Sequence, residues 1–99
     1  MHVEPVEIYS DVSNSAVMRH PGRRFPGVLV QGDTLSILCS TADRICARSR
    51  TNIDEDAYLE LNELRNSLWG FLIHYKTILG QHDIPLPFVD TPPPVTYEP

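Results

Sequence analysis

The segment at residues 23–35, which reads RRFPGVLVQGDTL, constrains the fold of this chain more than any other. Its Pro26-Gly27 pair favours a turn, and the apolar run Val28–Val30 that follows is typical of a short strand. Gly32 and Asp33 then mark a change from a two-residue to a 3.6-residue apolar period. The Asp33 carboxylate suits a helix start because it accepts hydrogen bonds from unpaired backbone N–H groups. The segment therefore predicts a turn, a strand and a helix start in succession.

Two further strands are predicted before this segment, near residues 5–10 and 15–19. Apolar residues alternate imperfectly with acidic residues in the first stretch, and Ser13–Ser15 is a turn signal before the second. His20-Pro21-Gly22 ends the second stretch with another turn signal. The simplest arrangement is an antiparallel meander of two to three strands.

Two amphipathic helices are predicted after the meander, over residues 34–48 and 55–79. The apolar residues of the second helix repeat in steps of four and three. Tyr58, Leu72 and Leu79 widen this stripe to an arc of roughly 180°, with Trp69 on its margin. Gly80 is expected to cap its C-terminus in the left-handed conformation. A loop of about five residues makes the two helices an antiparallel hairpin. The repeat consists of Ala57, Leu61, Leu64, Leu68, Phe71, Tyr75 and Ile78.

The predicted fold class is α+β, with a small antiparallel sheet packed on the two-helix hairpin in the order β-β-β-α-α. Residues 1–88 are expected to form a single domain. Six of the nine prolines lie in the last fifth of the chain, so residues 89–99 are expected to be a disordered tail. Ile84, Leu86 and Phe88, which precede it, are expected to dock on the hairpin as an extended strap.

Charge and composition narrow the classes of function. A net charge of −5 argues against nucleic acid as a partner. No apolar run approaches the ~20 residues that span a bilayer, and the N-terminus lacks the features of a signal peptide, so a cytoplasmic protein without membrane partners is expected. Cys39 and Cys46 are separated by ~10 Å along one helix, too far for an intrachain disulfide. Buried thiols are the expectation.

No group of residues predicts catalysis or a bound cofactor. The four histidines have no i, i+3 or i, i+4 spacing that would place two of them on one metal ion. Ser36, Ser40 and Thr41 have no neighbouring base to activate them. The sequence therefore predicts a non-enzymatic protein with no catalytic residue, no cofactor and no metal site.

The candidate residues for contact with a partner combine arginines and aromatics, which are enriched in interface hot spots. An anion site between the arginines and the helix N-terminus is the alternative, but Asp33 already places a carboxylate there. The partner is expected to be a protein, including a second copy of the chain. The candidates are Arg19, Arg23, Arg24, Phe25 and Trp69.

The pattern R-F-P-G-V-x-V-Q-G-D-x-L at residues 24–35, together with I-P-L-P at residues 84–87, resembles a family of small bacterial proteins of unknown function. The resemblance extends over roughly residues 5–88. It implies a bacterial source and a shared fold, and it carries over no catalytic residue.

Three functional hypotheses follow. The leading one is a non-enzymatic protein-interaction module, of the immunity-like or regulatory kind, that uses the Arg23–Gly27 turn and the exposed part of the long helix. The second is a structural homodimer paired through the heptad face of that helix. The third is a small-molecule-sensing domain with its site between sheet and helices.

Overall fold

The computed structural model of this chain describes residues 1–94, and it contains three strands followed by two helices. The predicted α+β class and the β-β-β-α-α order are confirmed. The residues form two compact units, a sheet unit of Met1–Gln31 and a hairpin unit that begins at Gly32. The extent of a single domain over residues 1–88 stays a prediction. The elements are β1 Glu7–Ser10, β2 Ser15–Arg19, β3 Gly27–Val30, α1 Gly32–Ser49 and α2 Glu55–Gln81.

The sheet unit is an antiparallel meander in the order β1-β2-β3. Glu7 lies directly opposite Arg19, and the register shifts between Ile8 and Ser10, as at a β-bulge. Val17 pairs with Val28 in the middle of the β2–β3 ladder. All three predicted strands are therefore present, each within one or two residues of the expected bounds.

The helix ends differ from the predictions in two places. α1 begins at Gly32 rather than residue 34, so Asp33 lies inside the first turn, where its Oδ1 accepts the Thr34 N–H at 2.9 Å. The Gly80 cap was wrong: α2 continues to Gln81, and the left-handed residue is Asp83, with φ of 56°. The aspartate side chain tolerates that conformation because it is short and polar.

The start of α2 and the length of the loop before it agree with the predictions. Asp54 is the N-cap residue, and its Oδ1 accepts the Ala57 N–H at 2.8 Å. This bond satisfies one of the backbone donors that the first helical turn leaves unpaired. The connection between α1 and α2 spans residues 50–54, the length expected for an antiparallel hairpin.

The buried seam of α2 lies one position away from the predicted repeat. Arg65, Trp69 and Leu72 are buried, whereas Phe71, a member of the predicted repeat, is 66% exposed. One position is about 100° around a helix, so the most deeply buried side lies toward the part of the predicted stripe that carries Leu72 and Trp69. Leu68 and Tyr75 of the repeat are partly buried against the same core. Trp69 lies in the middle of this seam and forms one core cluster with Leu72 and with Cys39 of α1. The buried side chains of α1 are those of Cys39, Ala42 and Cys46.

The chain after α2 returns along the hairpin unit. Phe88 packs against the core and stacks on Tyr75 with ring centroids 6.4 Å apart, which confirms the strap at this residue. Lys76 Nζ donates to Asp90 Oδ1 at 2.6 Å and to the Thr91 carbonyl at 3.1 Å. These contacts reach into the segment for which the sequence predicts disorder. Residues 95–99 of that segment lie outside the described residues.

Two further expectations concern the cysteines and the membrane. Cys39 and Cys46 are free and buried, as predicted. None of the helices within residues 1–94 has the length and hydropathy that a membrane span requires.

Candidate functional site

The connection from β2 to β3 is organised by a tight turn. The Arg23 N–H donates to the His20 carbonyl at 3.0 Å, and Gly22 has φ of 82°. Proline at the second position and a positive-φ glycine at the third are the requirements of a type II turn. The Pro21-Gly22 pair therefore explains why the chain reverses at this point and where the arginines that follow are placed.

Arg19 ties this turn to the sheet. Its guanidinium is paired with the Glu7 carboxylate on β1, and its Nη1 donates to the Arg23 carbonyl at 3.0 Å. The hydrogen bond and the negative charge of Glu7 both raise the pKa of Arg19 above its ordinary value. Because its guanidinium pairs with Glu7 and donates to the Arg23 carbonyl, Arg19 stabilises the turn against β1.

Arg24 and Phe25 form the exposed part of the site. The Arg24 guanidinium carbon lies 5.4 Å from the Phe25 ring centroid, within the range of a cation–π interaction. Phe25 is 71% exposed. An open cleft of about 530 Å³ adjoins the pair, and its walls are mainly apolar. The cleft is lined by Met18, His20, Arg23, Arg24, Phe25, Gly27, Val28 and Leu29.

Four of the five candidate residues lie together in the sheet unit, and the fifth belongs to the hairpin unit. Arg19, Arg23, Arg24 and Phe25 all belong to the β2–β3 end of the sheet unit. Trp69 belongs to the hairpin unit and is 3% exposed. Its indole N–H donates to both carboxylate oxygens of one aspartate. Trp69 is therefore a core residue of the hairpin unit and has almost no exposed surface for a partner to contact.

That aspartate is Asp43, one of two buried or half-buried charged residues that the sequence reasoning missed. Asp43 lies 3.0 Å from Trp69 Nε1 through Oδ1. The second is Arg65, which is 3% exposed and donates from Nε and Nη2 to Asn66 Oδ1 at 3.3 and 3.2 Å. A signal for Arg65 was available, since Arg65, Trp69 and Leu72 follow the same steps of four and three as the predicted repeat, one position later.

The buried thiols are unreactive in this setting. Burial raises the pKa of Cys39 to about 11, and the nearby Asp43 charge acts in the same direction. Burial also raises the pKa of Cys46, partly offset by the positive charge of Arg65. Both thiols are therefore protonated at neutral pH, and the thiolate that nucleophilic or metal chemistry requires is disfavoured.

Within residues 1–94, no three His, Cys, Asp or Glu side chains are grouped closely enough to hold a metal ion.

The fold and the site define a small α+β protein with an exposed basic and aromatic turn. Its sequence matches the model of a family described as "Family of unknown function (DUF6959)" over residues 1–88, and the chain belongs to this family. No curated protein and no solved structure matches the chain.

Proposed function

We propose that this protein is a non-enzymatic protein-interaction module and that the β2–β3 turn of the sheet unit is its contact surface. The observation that carries the proposal is Phe25, 71% exposed, with a cationic guanidinium over its ring and an apolar cleft beside it. An exposed aromatic side chain costs free energy in water, and arginine with an aromatic anchor is typical of interface hot spots. The class of protein that we propose is an immunity-like or regulatory binding protein.

The chemistry of the turn indicates the kind of protein surface that it recognises. Arg23 and Arg24 are both exposed and supply planar donors that pair with carboxylates. The cleft accepts an apolar side chain, because Met18, Val28 and Leu29 form part of its wall. The partner surface proposed is therefore acidic, with an aliphatic or aromatic side chain at its centre.

We place this activity in the cytoplasm of a bacterium. Cys39 and Cys46 are both free thiols, as expected of a protein in a reducing compartment. The resemblance of the R-F-P-G and I-P-L-P segments to a bacterial family supports the source.

The test is capture of partners from bacterial lysate on the immobilised protein, followed by titration with each captured protein after purification. The wild-type chain is compared with Arg23→Ala/Arg24→Ala and with Phe25→Ala. The matched control is Arg44→Ala/Arg48→Ala, which removes the same charge from exposed positions on α1. We expect the turn variants to weaken binding at least tenfold, as for a hot spot worth more than ~1.4 kcal/mol, and the control to bind as wild type. Equal binding by all variants would exclude the turn as the contact surface.

A second candidate function, a structural homodimer, is favoured by a row of exposed apolar residues on α2. Leu64, Phe71 and Ile78 are spaced by seven residues and all are exposed, so they lie along one face of the helix. Pairing of this row with its symmetry mate would remove it from water. Sedimentation equilibrium at micromolar concentration tests the dimer, with Phe71→Glu as the variant expected to abolish it. A wild-type chain that sediments only as a monomer excludes this candidate.

A further inference from the structure

The sheet unit has two edge strands, and they differ in how they are protected from further pairing. In the order β1-β2-β3, both β1 and β3 pair with β2 alone within residues 1–94. An edge strand presents a row of backbone N–H and C=O groups with which another strand can pair. Natural sheets protect such edges with bulges and charged residues, so an edge that lacks them is a candidate for strand addition.

β1 is the protected edge. Its register against β2 shifts between Ile8 and Ser10, as at a β-bulge, which interrupts the regular row of backbone groups. Glu7 adds a charge within the strand, and its carboxylate is paired with Arg19 of β2. An incoming strand would meet both obstacles on this side of the sheet.

β3 is the edge without these protections. Its four residues, Gly27–Val30, pair with β2 in an unbroken register, and none of them is charged. Val28, Leu29 and Val30 are 61%, 54% and 39% exposed. In an antiparallel ladder, alternate residues direct their N–H and C=O groups away from the neighbouring strand. Two of the four β3 residues therefore present both backbone groups to an added strand.

The side chains around β3 indicate the chemistry of that strand. Arg23 and Arg24 are exposed and precede β3 directly in the turn, while Met18, Val28 and Leu29 form an apolar part of the adjoining cleft. Successive side chains of an added strand point to opposite faces. Alternation of apolar and acidic residues lets the apolar side chains meet the cleft wall, and it leaves the carboxylates in water within reach of the guanidinium groups.

We propose that β3 accepts an extended acidic segment of a partner protein as a fourth strand of the sheet unit. Backbone hydrogen bonds along β3 supply affinity, and the apolar cleft together with Arg23 and Arg24 selects the sequence of the segment. This inference rests on the proposed function, because it names the binding mode and the partner segment for the same contact surface.

An acidic partner fits this edge better than a second copy of the chain does. A second β3 would bring no carboxylate within the strand, since Gly27–Val30 contains none. The first carboxylate after it, on Asp33, lies in the first turn of α1 and already accepts the Thr34 N–H. Pairing of two β3 strands would therefore leave Arg23 and Arg24 without acidic partners inside the ladder.

The experiment is an NMR titration of the full chain, with hydrogen exchange measured at the β3 amides. The probe is a short blocked peptide that alternates valine and glutamate. One control peptide keeps these side chains but has ester oxygens in place of its backbone N–H groups, so it cannot donate to β3. The other control alternates valine and lysine, which reverses the charge.

We expect the valine–glutamate peptide to slow exchange about tenfold at two of the four β3 amides, because these gain hydrogen bonds to the peptide. The ester analogue should bind at least about tenfold more weakly, since it lacks the donors of the ladder. The valine–lysine peptide should bind about tenfold more weakly as well, because its charges are repelled by the arginines of the turn.

Two matched variants test which edge is used. Leu29→Glu and Ile8→Glu replace side chains that are 54% and 55% exposed, on β3 and β1 respectively. Neither change empties a core, so both variants should fold. Leu29→Glu places a like charge beside the peptide and should weaken its binding about tenfold, whereas Ile8→Glu should change binding by less than about twofold.

Three results would overturn this binding mode. Equal binding of the peptide and its ester analogue, with shifts at Arg23–Phe25 but no protection of β3, would exclude strand addition and leave the turn as the contact surface. No binding of the valine–glutamate peptide would exclude an acidic segment as the partner. Protection of β3 without peptide, in a chain that sediments as a dimer, would assign the edge to a second copy. Failure of the proposed function is read separately, from equal lysate capture by the turn variants.

Discussion

The sheet unit and the hairpin unit hold their residues in place by different means. Among residues 1–94, every buried side chain belongs to the hairpin unit, and residues 1–31 contain none. The hairpin is built around a core of Cys39, Trp69 and Leu72. The sheet relies on ladder hydrogen bonds, on the Glu7–Arg19 pair and on the turn at Gly22.

This difference assigns most of the stability to the hairpin unit, whereas the proposed contact surface belongs to the sheet unit. Burial of apolar side chains is the dominant favourable term in folding, so the hairpin unit is expected to supply most of the stability. A small sheet gains independent stability only when a hydrophobic face is covered. Ile8, Val28 and Leu29 are all exposed, which leaves such a surface available to a partner. Substitutions of similar size are therefore expected to have very different effects in the two units.

The largest effect is expected for Trp69→Ala in the hairpin. The change removes the central side chain of the core and the indole N–H that donates to Asp43. We expect the free energy of unfolding to fall by about 4 kcal/mol. The paired change in the sheet unit is Phe25→Ala, which removes an exposed ring and should cost less than about 0.5 kcal/mol. Urea denaturation followed by circular dichroism measures both.

Trp69→Phe separates the contribution of apolar burial from that of the indole hydrogen bond. It keeps most of the apolar bulk and loses only the indole N–H, so a loss of about 1 to 2 kcal/mol is expected. Equal losses for Trp69→Ala and Phe25→Ala would show that the contrast between the two units is wrong.

The second effect concerns a close approach inside the hairpin. Gly32 packs against the Tyr75 ring so tightly that a Cβ would overlap the ring atoms. The ring cannot retreat without disturbing its stack on Phe88. Gly32→Ala is therefore expected to lower the free energy of unfolding by about 3 kcal/mol, at the upper end of overpacking costs.

Gly70→Ala is the matched control, because nothing lies within 4 Å of a Cβ at that position of α2. It should stabilise the protein by about 0.5 to 1 kcal/mol, since alanine is the better helix former. Combining Gly32→Ala with Tyr75→Leu should recover part of the loss, and the double-mutant cycle measures the coupling. Purely additive effects would mean that the ring is not the cause.

The third effect is a loss of stability in alkaline solution. The pKa of Cys39 is raised from 9.0 to about 11, so between these values the native state binds more protons than the unfolded state. The free energy of unfolding must therefore fall as pH rises through this window, by about 2 kcal/mol. Stability measured by urea denaturation at pH 8, 9, 10 and 11 gives the slope. Cys39→Ala is the control, because it removes the thiol and should flatten the curve; an unchanged slope would contradict the assignment.

The elements of the fold were predictable because each has a local cause. Ser13–Ser15, Pro21-Gly22 and Pro26-Gly27 mark the turns, and Asp54 caps α2, so the predicted strands and helices lie within two residues of their observed bounds. The end of α2 was missed because Gly80 is compatible with a helix as well as with a cap. The left-handed residue is Asp83, three positions later, and the sequence pattern does not distinguish it from Gly80 as the end of the helix.

The choice between two α2 seams of equal spacing could not be made from the α2 sequence alone. The two candidate seams have the same spacing, and the apolar one passes through Leu64 and Phe71. The other contains Arg65, which a hydrophobic pattern rejects, yet Arg65, Trp69 and Leu72 are buried, and Trp69 and Leu72 form one core cluster with Cys39 of α1. A small residue on one helix and a tryptophan on the next predict the buried face only when the two helices are considered together. The burial of Arg65 was missed for the same reason.

The smallest effect is expected in the sheet unit, at the turn that places the candidate contact residues. Gly22 has φ of 82° and open space around it, so Gly22→Ala meets no steric obstacle and introduces only backbone strain, worth about 1 kcal/mol. We expect the hydrogen exchange of the Arg23 amide, which donates to His20, to become about fivefold faster. Gly27→Ala is the control, since Gly27 has neither a positive φ nor a neighbour within 4 Å. Exchange that is equally fast in both variants would place the strain elsewhere and remove the turn as the organiser of Arg23, Arg24 and Phe25.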